Sequence, residues 1–184
     1  MPRLFAALAL TIASATAAGA VQERTNPDAA TLADFTKRLN AYVELRKKAD
    51  DSAAPLKKTE DPAKIHIAQQ QLAERIRTAR AEAKHGDLFT PEVSVILRRL
   101  LRPESKEPGT KAAIKDDNPP KAKVPFVING AYPEKEPLST VPPNVLASLP
   151  KLPEDVEYRF VGKHVVLRDA KANIILDYLT DAIP

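Results

Sequence analysis

The distribution of proline constrains the fold of this chain more than any other feature of its sequence. Of the 17 prolines in 184 residues, 11 fall within residues 103–153. Proline lacks the backbone N–H that helix interiors and central strands need, so this stretch cannot form one long helix or a central strand. The pattern therefore predicts a helical part before residue 103 and a separate structured part near the C-terminus.

The rest of the composition excludes several classes of protein chemistry. The absence of Cys removes disulfides, thiolate nucleophiles, and Cys-based zinc or iron–sulfur sites. With 5 Gly in the whole chain, Gly-rich phosphate-binding loops are disfavoured. A formal net charge of +4 does not indicate nucleic-acid binding. An aromatic share of 5% predicts a core built from Ala, Leu, Ile and Val.

Residues 1–20 have the three parts of a secretory signal peptide. Arg3 supplies the positive charge, residues 4–13 form the apolar run, and Ala18-Gly19-Ala20 fits the rule of small residues at a cleavage site. The apolar run is shorter than the roughly 20 residues that a spanning helix needs. We therefore expect a periplasmic or secreted protein with cleavage near Ala20, or alternatively after Ala17, and no transmembrane segment after cleavage.

Residues 26–103 carry helical patterns and are predicted to form a helical region. Asn26-Pro27-Asp28 is a helix-start signal, after which apolar residues recur every three or four positions. Asp61-Pro62 opens a second helix predicted to end near Gly86, and Thr90-Pro91 opens a third. We expect an antiparallel hairpin of the first two helices, with the third across its open end. The expected buried positions are Leu32, Phe35, Leu39 and Tyr42; Ile65, Leu72, Ile76, Ala79 and Ala83; and Val93, Ile96, Leu97, Leu100 and Leu101.

The proline-rich stretch is predicted to contain a linker and the start of a second module. Residues 104–123 are polar and lack hydrophobic periodicity, which is typical of a disordered linker. Residues 124–184 are predicted to form a small Pro-rich module that contains β-structure. Within it, Asn129-Gly130 is a hairpin-turn signal, although Pro133 interrupts the returning strand. A short helix is expected over residues 143–148.

The last 30 residues or so predict a three-stranded antiparallel β-meander, which makes the fold class α+β. Gly162-Lys163 suits a two-residue turn, and Asn173 tolerates the left-handed backbone of a second turn. The predicted pairs are Phe160 with Val165, Tyr158 with Leu167, Glu157 with Arg168, Leu167 with Leu176, and Val165 with Tyr178. The inward face should contain Val156, Tyr158, Phe160, Val165, Leu167, Ile174, Leu176 and Tyr178. Because a lone meander is marginally stable, this face should lie on a helix.

The same three strands carry a resemblance to known proteins. The segments YRFVG (residues 158–162), VVLRD (165–169) and NIILD (173–177) resemble the C-terminal segment of uncharacterised exported bacterial proteins. More distantly, they are similar to the end of the periplasmic nickel/cobalt-homeostasis family. The resemblance rests on pattern rather than on catalytic residues, and it implies an exported protein and, through the distant family, a role in metal homeostasis.

Basic residues are concentrated in one part of the helical region. Residues 75–111 contain nine Lys or Arg and five acidic residues. Such a stripe is either a solvated helix face or a surface for anionic lipid, a cell-wall polymer or an acidic partner. The candidates for binding an anionic surface are Arg77, Arg80, Lys84, Arg98, Arg99 and Arg102.

The sequence contains no recognisable catalytic or metal-binding pattern. His66, His85 and His164 lack a histidine at ligand spacing, and no Ser has the neighbours of a nucleophile elbow or an acyl-transfer motif. We therefore predict no catalytic, cofactor-binding or metal-binding residue and no cofactor.

The function predicted from the sequence is a non-enzymatic binding or assembly module of the cell envelope. Its protein partner is expected to add a strand to the meander, at residues 156–161 or 174–179. Two alternatives stay open. One is attachment to the envelope surface or a metal-homeostasis accessory role, and the other is a hydrolase whose carboxylates are dispersed along the sequence.

Overall fold

A computed structural model of the protein describes residues 26–53, 59–104, 108–117, 124–133, 135–136 and 141–183. The predicted signal peptide lies outside the described residues. The elements in chain order are α1 (Pro27–Asp51), α2 (Pro62–Ala79), α3 (Pro91–Glu104), α4 (Pro108–Asp117), α5 (Pro143–Ser148), β1 (Val156–Val161), β2 (His164–Asp169) and β3 (Ile174–Leu179). Helices in the N-terminal part and a C-terminal antiparallel sheet confirm the α+β class.

α1 and α2 begin where the sequence places a polar cap before proline. The side chains of Asn26 and Asp61 each accept a hydrogen bond from the backbone N–H two residues further on, at 3.1 and 3.0 Å. Pro27 and Pro62 occupy the first helical positions, where the missing N–H removes no hydrogen bond. The two helices pack against each other, which confirms the predicted helical hairpin.

The apolar stripes of α1 and α3 are buried largely as predicted. Phe35, Leu39 and Tyr42 of α1 are buried, and Leu32 is half-buried. On α3 the buried residues are Val93, Ile96, Leu97 and Leu101, with Leu100 partly buried against the same core. α3 packs against both α1 and α5, so it connects the helical hairpin to the proline-rich part of the chain.

The stripe predicted for α2 is wrong at its two ends. Ile65 is 48% exposed, Ala79 is exposed and Ala83 is half-buried. The buried residues of this helix are limited to its middle and last turns: Leu72, Ala73 and Ile76. The helix therefore packs through a shorter face than the spacing of its apolar residues indicated.

α2 also ends earlier than predicted, at Ala79 instead of near Gly86. The side chain of Asn129 binds the end of the helix from outside. Its amide donates to the carbonyl of Arg80 at 3.0 Å, and its oxygen accepts from the Arg80 guanidinium at 2.8 Å. Gly86, with φ of +89°, lies in the loop that follows. The helix end is thus fixed by a residue that is distant in the sequence.

The prediction of a disordered linker over residues 104–123 is wrong for its central part, which forms α4. Pro108 starts this helix, and Ala and Lys residues in it have high helix propensity. Thr110 is buried, and its hydroxyl accepts a hydrogen bond from the side-chain amide of Asn144 at 2.7 Å. This contact joins α4 to α5. The rest of the predicted linker lies mainly outside the described residues.

β1, β2 and β3 form an antiparallel meander in sequence order. The predicted β1–β2 register is confirmed, with Phe160 opposite Val165 and Tyr158 opposite Leu167. Gly162 has φ of +61°, as its place at the first position of the turn requires.

The β2–β3 pairing contains a β-bulge, so its predicted register is wrong. The observed partners are Val165 with Leu179, Leu167 with Asp177, and Arg168 with Ile175, which leaves Leu176 as the extra residue. Leu179 takes the core position predicted for Tyr178, and Tyr178 packs on the other sheet face. Both alternating sets of residues in β3 are largely apolar, and such a pattern specifies register weakly.

The sheet has a hydrophobic cluster on each of its faces. On one face, the core combines residues of all three strands with residues of α1, α2, α3 and α5. On the other face, Val124 and Tyr132 cover Val161, Val166 and Ile175 in a smaller cluster. The helical region and the β-containing module, which were predicted as separate units, therefore share one core.

The short helix predicted over residues 143–148 is confirmed as α5. Asn129, at φ of +60°, adopts the left-handed conformation that its turn signal indicated. The chain after this turn pairs with β3, through a bridge between Ala131 and Ile174, instead of forming a returning hairpin strand.

Among the described residues, no helix is long and apolar enough to cross a membrane.

Candidate functional site

The candidate site is the outer edge of β1, which no other strand of the described chain covers. Along an antiparallel strand, the backbone groups of successive residues point alternately to the two edges. The N–H of Ala170 donates to the carbonyl of Asp155 at 2.7 Å, which places the odd-numbered residues of β1 on the β2 side. The backbone groups of Val156, Tyr158 and Phe160 therefore point to the outer edge.

Most of these outward backbone groups have no backbone partner among the residues that the structure describes. The N–H of Val156 donates to the carbonyl of Pro153 at 3.2 Å. Within the described ranges, the outward N–H and C=O groups of Tyr158 and Phe160 have no backbone partner. A row of unpaired groups on an edge strand is a template on which another strand can pair.

A groove of about 500 Å³ runs beside this edge. Its lining combines an apolar set with a charged set: Val141, Leu146, Pro150, Leu152, Val156 and Tyr158, and Lys151, Glu157 and Arg159. A concave, mainly apolar surface with a few charged groups is typical of a binding site in proteins. The groove can therefore receive side chains of a segment that pairs with β1.

α5 and the residues after it form the far wall of the groove. Val145 is buried in the core and anchors α5, whereas its neighbour Leu146 is 51% exposed on the groove side. The hydroxyl of Tyr158 donates to the carbonyl of Pro150 at 3.1 Å and holds this segment beside β1. Burial raises the pKa of Tyr158, so its hydroxyl stays protonated and continues to donate. The wall is thus fixed to the strand that it faces.

Charged side chains of β1 lie on the sheet face opposite the helices. Glu157 accepts hydrogen bonds from the guanidinium groups of both Arg159 and Arg168. Burial alone would raise the pKa of Glu157, but the hydrogen bonds from the two arginines outweigh burial and lower it. The carboxylate therefore stays ionised next to the open edge.

The edge of β3, the second edge predicted to accept a partner, is occupied by the chain itself. The N–H of Asn129 donates to the carbonyl of Ile175 at 2.8 Å, and the N–H of Ile175 donates to the carbonyl of Gly130 at 2.8 Å. Tyr132 donates from its N–H to the carbonyl of Asn173 at 3.0 Å. The prediction of a binding edge at residues 174–179 is therefore wrong over the first half of β3, and β1 is the better candidate.

Asp177 is a fully buried carboxylate whose role the sequence analysis missed. It accepts hydrogen bonds from the backbone N–H groups of Gly86, Leu88 and Phe89 at 2.9 to 3.1 Å, and its Oδ1 lies 2.9 Å from Nδ1 of His85. These bonds hold the loop before α3 against β3. The available signal was an acidic residue at the end of an apolar strand, in the segment NIILD.

Asp169, at the end of VVLRD, has a similar role towards α1. It is fully buried and accepts hydrogen bonds from the hydroxyl of Tyr42 at 2.5 Å and from the N–H of Ala172 at 2.8 Å. Arg46 forms an ion pair with it at 3.2 Å. Arg46 continues the spacing of the buried stripe of α1. This spacing is the signal from which its burial could have been predicted. The two aspartates thus fix the helices to the sheet.

The structure does not bring the six predicted basic residues into one free surface. Arg80 is half-buried, stacks over Tyr42 and donates to Asn129, and burial lowers its pKa. The guanidinium of Arg77 donates to the backbone carbonyl of Asn129 at 3.0 Å. On α3, Arg98 donates to the carbonyl of Thr180 at 2.9 Å. These side chains stabilise the fold by contacts between elements.

The other three basic candidates lie at the surface. Arg99 forms an ion pair with Asp28 of α1, and Lys84 and Arg102 are exposed. The six side chains are divided between α2, the loop that follows it and α3, and several of them bind other elements. Their geometry therefore gives little support to one continuous site for an anionic surface.

The three histidines lie apart and bind different neighbours. His66 contacts Gln70, His85 contacts Asp177, and His164 accepts a hydrogen bond from the N–H of Asp181. Within the described part of the chain, no group of three or more His, Asp or Glu side chains is arranged to hold a metal ion.

Comparison with known proteins gives no relative: no family model, curated protein or solved structure matches this chain. The resemblance to exported bacterial proteins stays a prediction from the sequence.

Proposed function

We propose that the protein is an exported, non-enzymatic binding or assembly module of the cell envelope that binds an extended segment of a protein partner along β1. One observation carries this proposal. Among the described residues, β1 has outward backbone groups without a backbone partner beside a groove, whereas the β3 edge of the same sheet is occupied by residues 129–132.

Binding by strand addition uses main-chain hydrogen bonds for affinity and pockets for alternate side chains for specificity. The main-chain part would come from Tyr158 and Phe160. Side chains on the groove side of the partner strand would meet Leu146, Leu152 and Val141. The preferred partner segment is therefore extended and carries apolar residues at alternate positions.

The fold supports this role because the edge is held in place before binding. Tyr158 ties β1 to the groove wall, and Asp169 and Asp177 tie β2 and β3 to the helices. A preorganised site loses less conformational entropy on association than a mobile one. The edge therefore needs no rearrangement of the sheet to accept a strand.

The test uses the exposed groove residue Leu146 and a matched control. Leu146→Asp places a charge in the groove, and Ile67→Asp makes the same change on α2 at a residue of equal size and nearly equal exposure, 52% against 51%. Both variants should fold normally, since both residues are exposed. In affinity purification from the envelope fraction, Leu146→Asp should lose a partner that the native chain and Ile67→Asp retain.

Nuclear magnetic resonance of the recovered complex locates the contact. Binding should shift the backbone amide signals of Tyr158 and Phe160 and leave those of Asn129 and Ile175 in place. Recovery of no partner by the native chain, a second copy of the chain included, or equal recovery by both variants, would contradict the proposal.

A further inference from the structure

The outer edge of β1 is complementary to a second copy of itself. In an antiparallel pair related by a two-fold axis at Tyr158, the N–H of Tyr158 in each copy faces the carbonyl of Tyr158 in the other copy. On either side, the N–H of Phe160 faces the carbonyl of Val156 in the other copy. These are the outward groups that have no partner in the described part of the chain. The carbonyl of Phe160 faces the N–H of Val156 in the other copy, and it has to share this N–H with the carbonyl of Pro153.

The charges of β1 match in the same arrangement. Glu157 of each copy lies directly opposite Arg159 of the other, because the two residues flank Tyr158 by one position each. They form a non-hydrogen-bonded pair, in which Cα atoms are about 4.5 Å apart and side chains are closest. Opposite charges in such cross-strand pairs stabilise the pairing, whereas like charges destabilise it. A parallel arrangement or a shift by one residue loses this match.

The apolar side also suits a copy of the same chain. Leu146 and Leu152 flank the edge and are only partly covered, so association brings the two groove walls next to each other. Pairing of the two edges would extend each three-stranded sheet into one continuous sheet and would leave no unpaired β1 edge.

We propose that the segment bound along β1 is β1 of a second copy, in an antiparallel pair centred on Tyr158. This inference rests on the proposed function, because it names the occupant of the same edge. It makes the assembly a symmetric homodimer.

The first test is sedimentation velocity of the native mature chain over a range of concentrations. A dimer that forms reversibly with concentration is expected. A chain that stays monomeric at every concentration overturns the inference.

The second test fixes the register with cysteine, which the native chain lacks. Glu157→Cys and Arg159→Cys are prepared as separate variants and mixed under mild oxidation. Cα atoms of opposed residues in this pair fall within the range of about 4.4–6.8 Å that a disulfide needs. The mixture should give a disulfide-linked dimer. Either variant alone should give little of it, because residue 157 of one copy lies opposite residue 159 of the other, and two cysteines at the same position are therefore two residues out of register.

A mixture of Arg159→Cys with Val127→Cys is the control for random collision, since Val127 is 55% exposed and closely precedes the residues that pair with β3, at the opposite edge of the sheet. Cross-linking in the Glu157→Cys and Arg159→Cys mixture that does not exceed this control contradicts the register, even if the native chain dimerises. If the cysteine variants fail to fold, sedimentation of the native chain decides.

The outcomes separate this inference from the proposed function. A monomeric chain that recovers an envelope partner sensitive to Leu146→Asp overturns the homodimer alone. A monomeric chain that recovers no such partner overturns both.

Discussion

The two edges of the sheet show opposite solutions to the same physical problem. Each edge of an open sheet carries backbone groups that need partners. At β3, residues 129–132 pair with the strand, and the Arg80 guanidinium approaches the carbonyl of Leu176. At β1, Tyr158 and Phe160 have no such partner in the described ranges, and a groove lies beside them.

The difference indicates which part of the molecule serves stability and which serves binding. The β3 side is held by several independent groups from the helices and the segment after α4, and changes there should lower stability. The β1 side has side chains that pack in the core but a backbone edge that faces outward, so changes in its groove should alter association and leave the fold intact.

The largest expected effect is that of Asp177→Ala on the β3 side. The substitution leaves the buried N–H groups of Leu88 and Phe89 without an acceptor, and each such group costs about 1–3 kcal/mol. We expect a loss of about 3 kcal/mol or more in the free energy of unfolding, measured by urea denaturation.

Two variants control for this measurement. Asp177→Asn keeps one carbonyl oxygen as an acceptor and should lower the free energy of unfolding less than Asp177→Ala. Asp51→Ala, at the exposed end of α1, should change the free energy of unfolding by less than about 0.5 kcal/mol. An Asp177→Ala protein as stable as the Asp51→Ala protein would show that the buried carboxylate does not hold the β3 side.

A smaller effect is expected for Gly130→Ala, which disturbs the segment that covers β3. A Cβ atom at this position would lie 2.9 Å from the carbonyl oxygen of Val127, so the turn must shift. Steric changes of this kind typically cost about 1–3 kcal/mol. Because the shift exposes the β3 edge, self-association measured by light scattering should also rise.

Gly109→Ala is the matched control, because a Cβ atom there has no neighbour within 4 Å. In a helix this change is expected to be neutral or to add up to about 1 kcal/mol of stability. Equal stability and equal self-association of the two glycine variants would mean that residues 129–132 do not protect the β3 edge.

The smallest effect concerns the charges on β1 and depends on pH. The pKa of Glu157 lies below its ordinary value of 4.5, so the folded state favours the ionised carboxylate. Its contribution to stability is complete above pH 4.5 and is lost as pH falls below that value through the folded-state pKa. Glu157→Gln should therefore flatten the decline of stability below this pH. If the free energy of unfolding falls equally with decreasing pH in the native chain and in the variant, Glu157 is not the source of this pH dependence.

Local signals made much of the fold predictable. The caps before Pro27 and Pro62, the turn at Gly162 and the helix at residues 143–148 each depend on a few neighbouring residues. The β1–β2 register follows from a two-residue turn and was confirmed. α4 was missed because helix propensity and contacts outweighed a polar sequence without periodicity.

Features that depend on distant residues were not predictable in the same way. The end of α2 is set by Asn129, and the bulge in β3 brings Asp177 to the loop before α3 while Leu179 enters the core. For the candidate site, the sequence indicated two strand edges, but it gave no means to see that residues 129–132 cover one of them. The groove beside β1 depends on how α5 packs, which only the tertiary structure shows.

Hydrogen exchange of single backbone amides tests the central claim most directly, because it measures the two edges in one experiment. In the dilute, unbound protein, the amides of Tyr158 and Phe160 should exchange much faster than those of Asn129, Tyr132 and Ile175. On association, Tyr158 and Phe160 should become protected and the other three should stay as they were. Tyr158 and Phe160 amides that are protected in the dilute protein, or unchanged on association, would contradict the assignment of β1 as the binding edge.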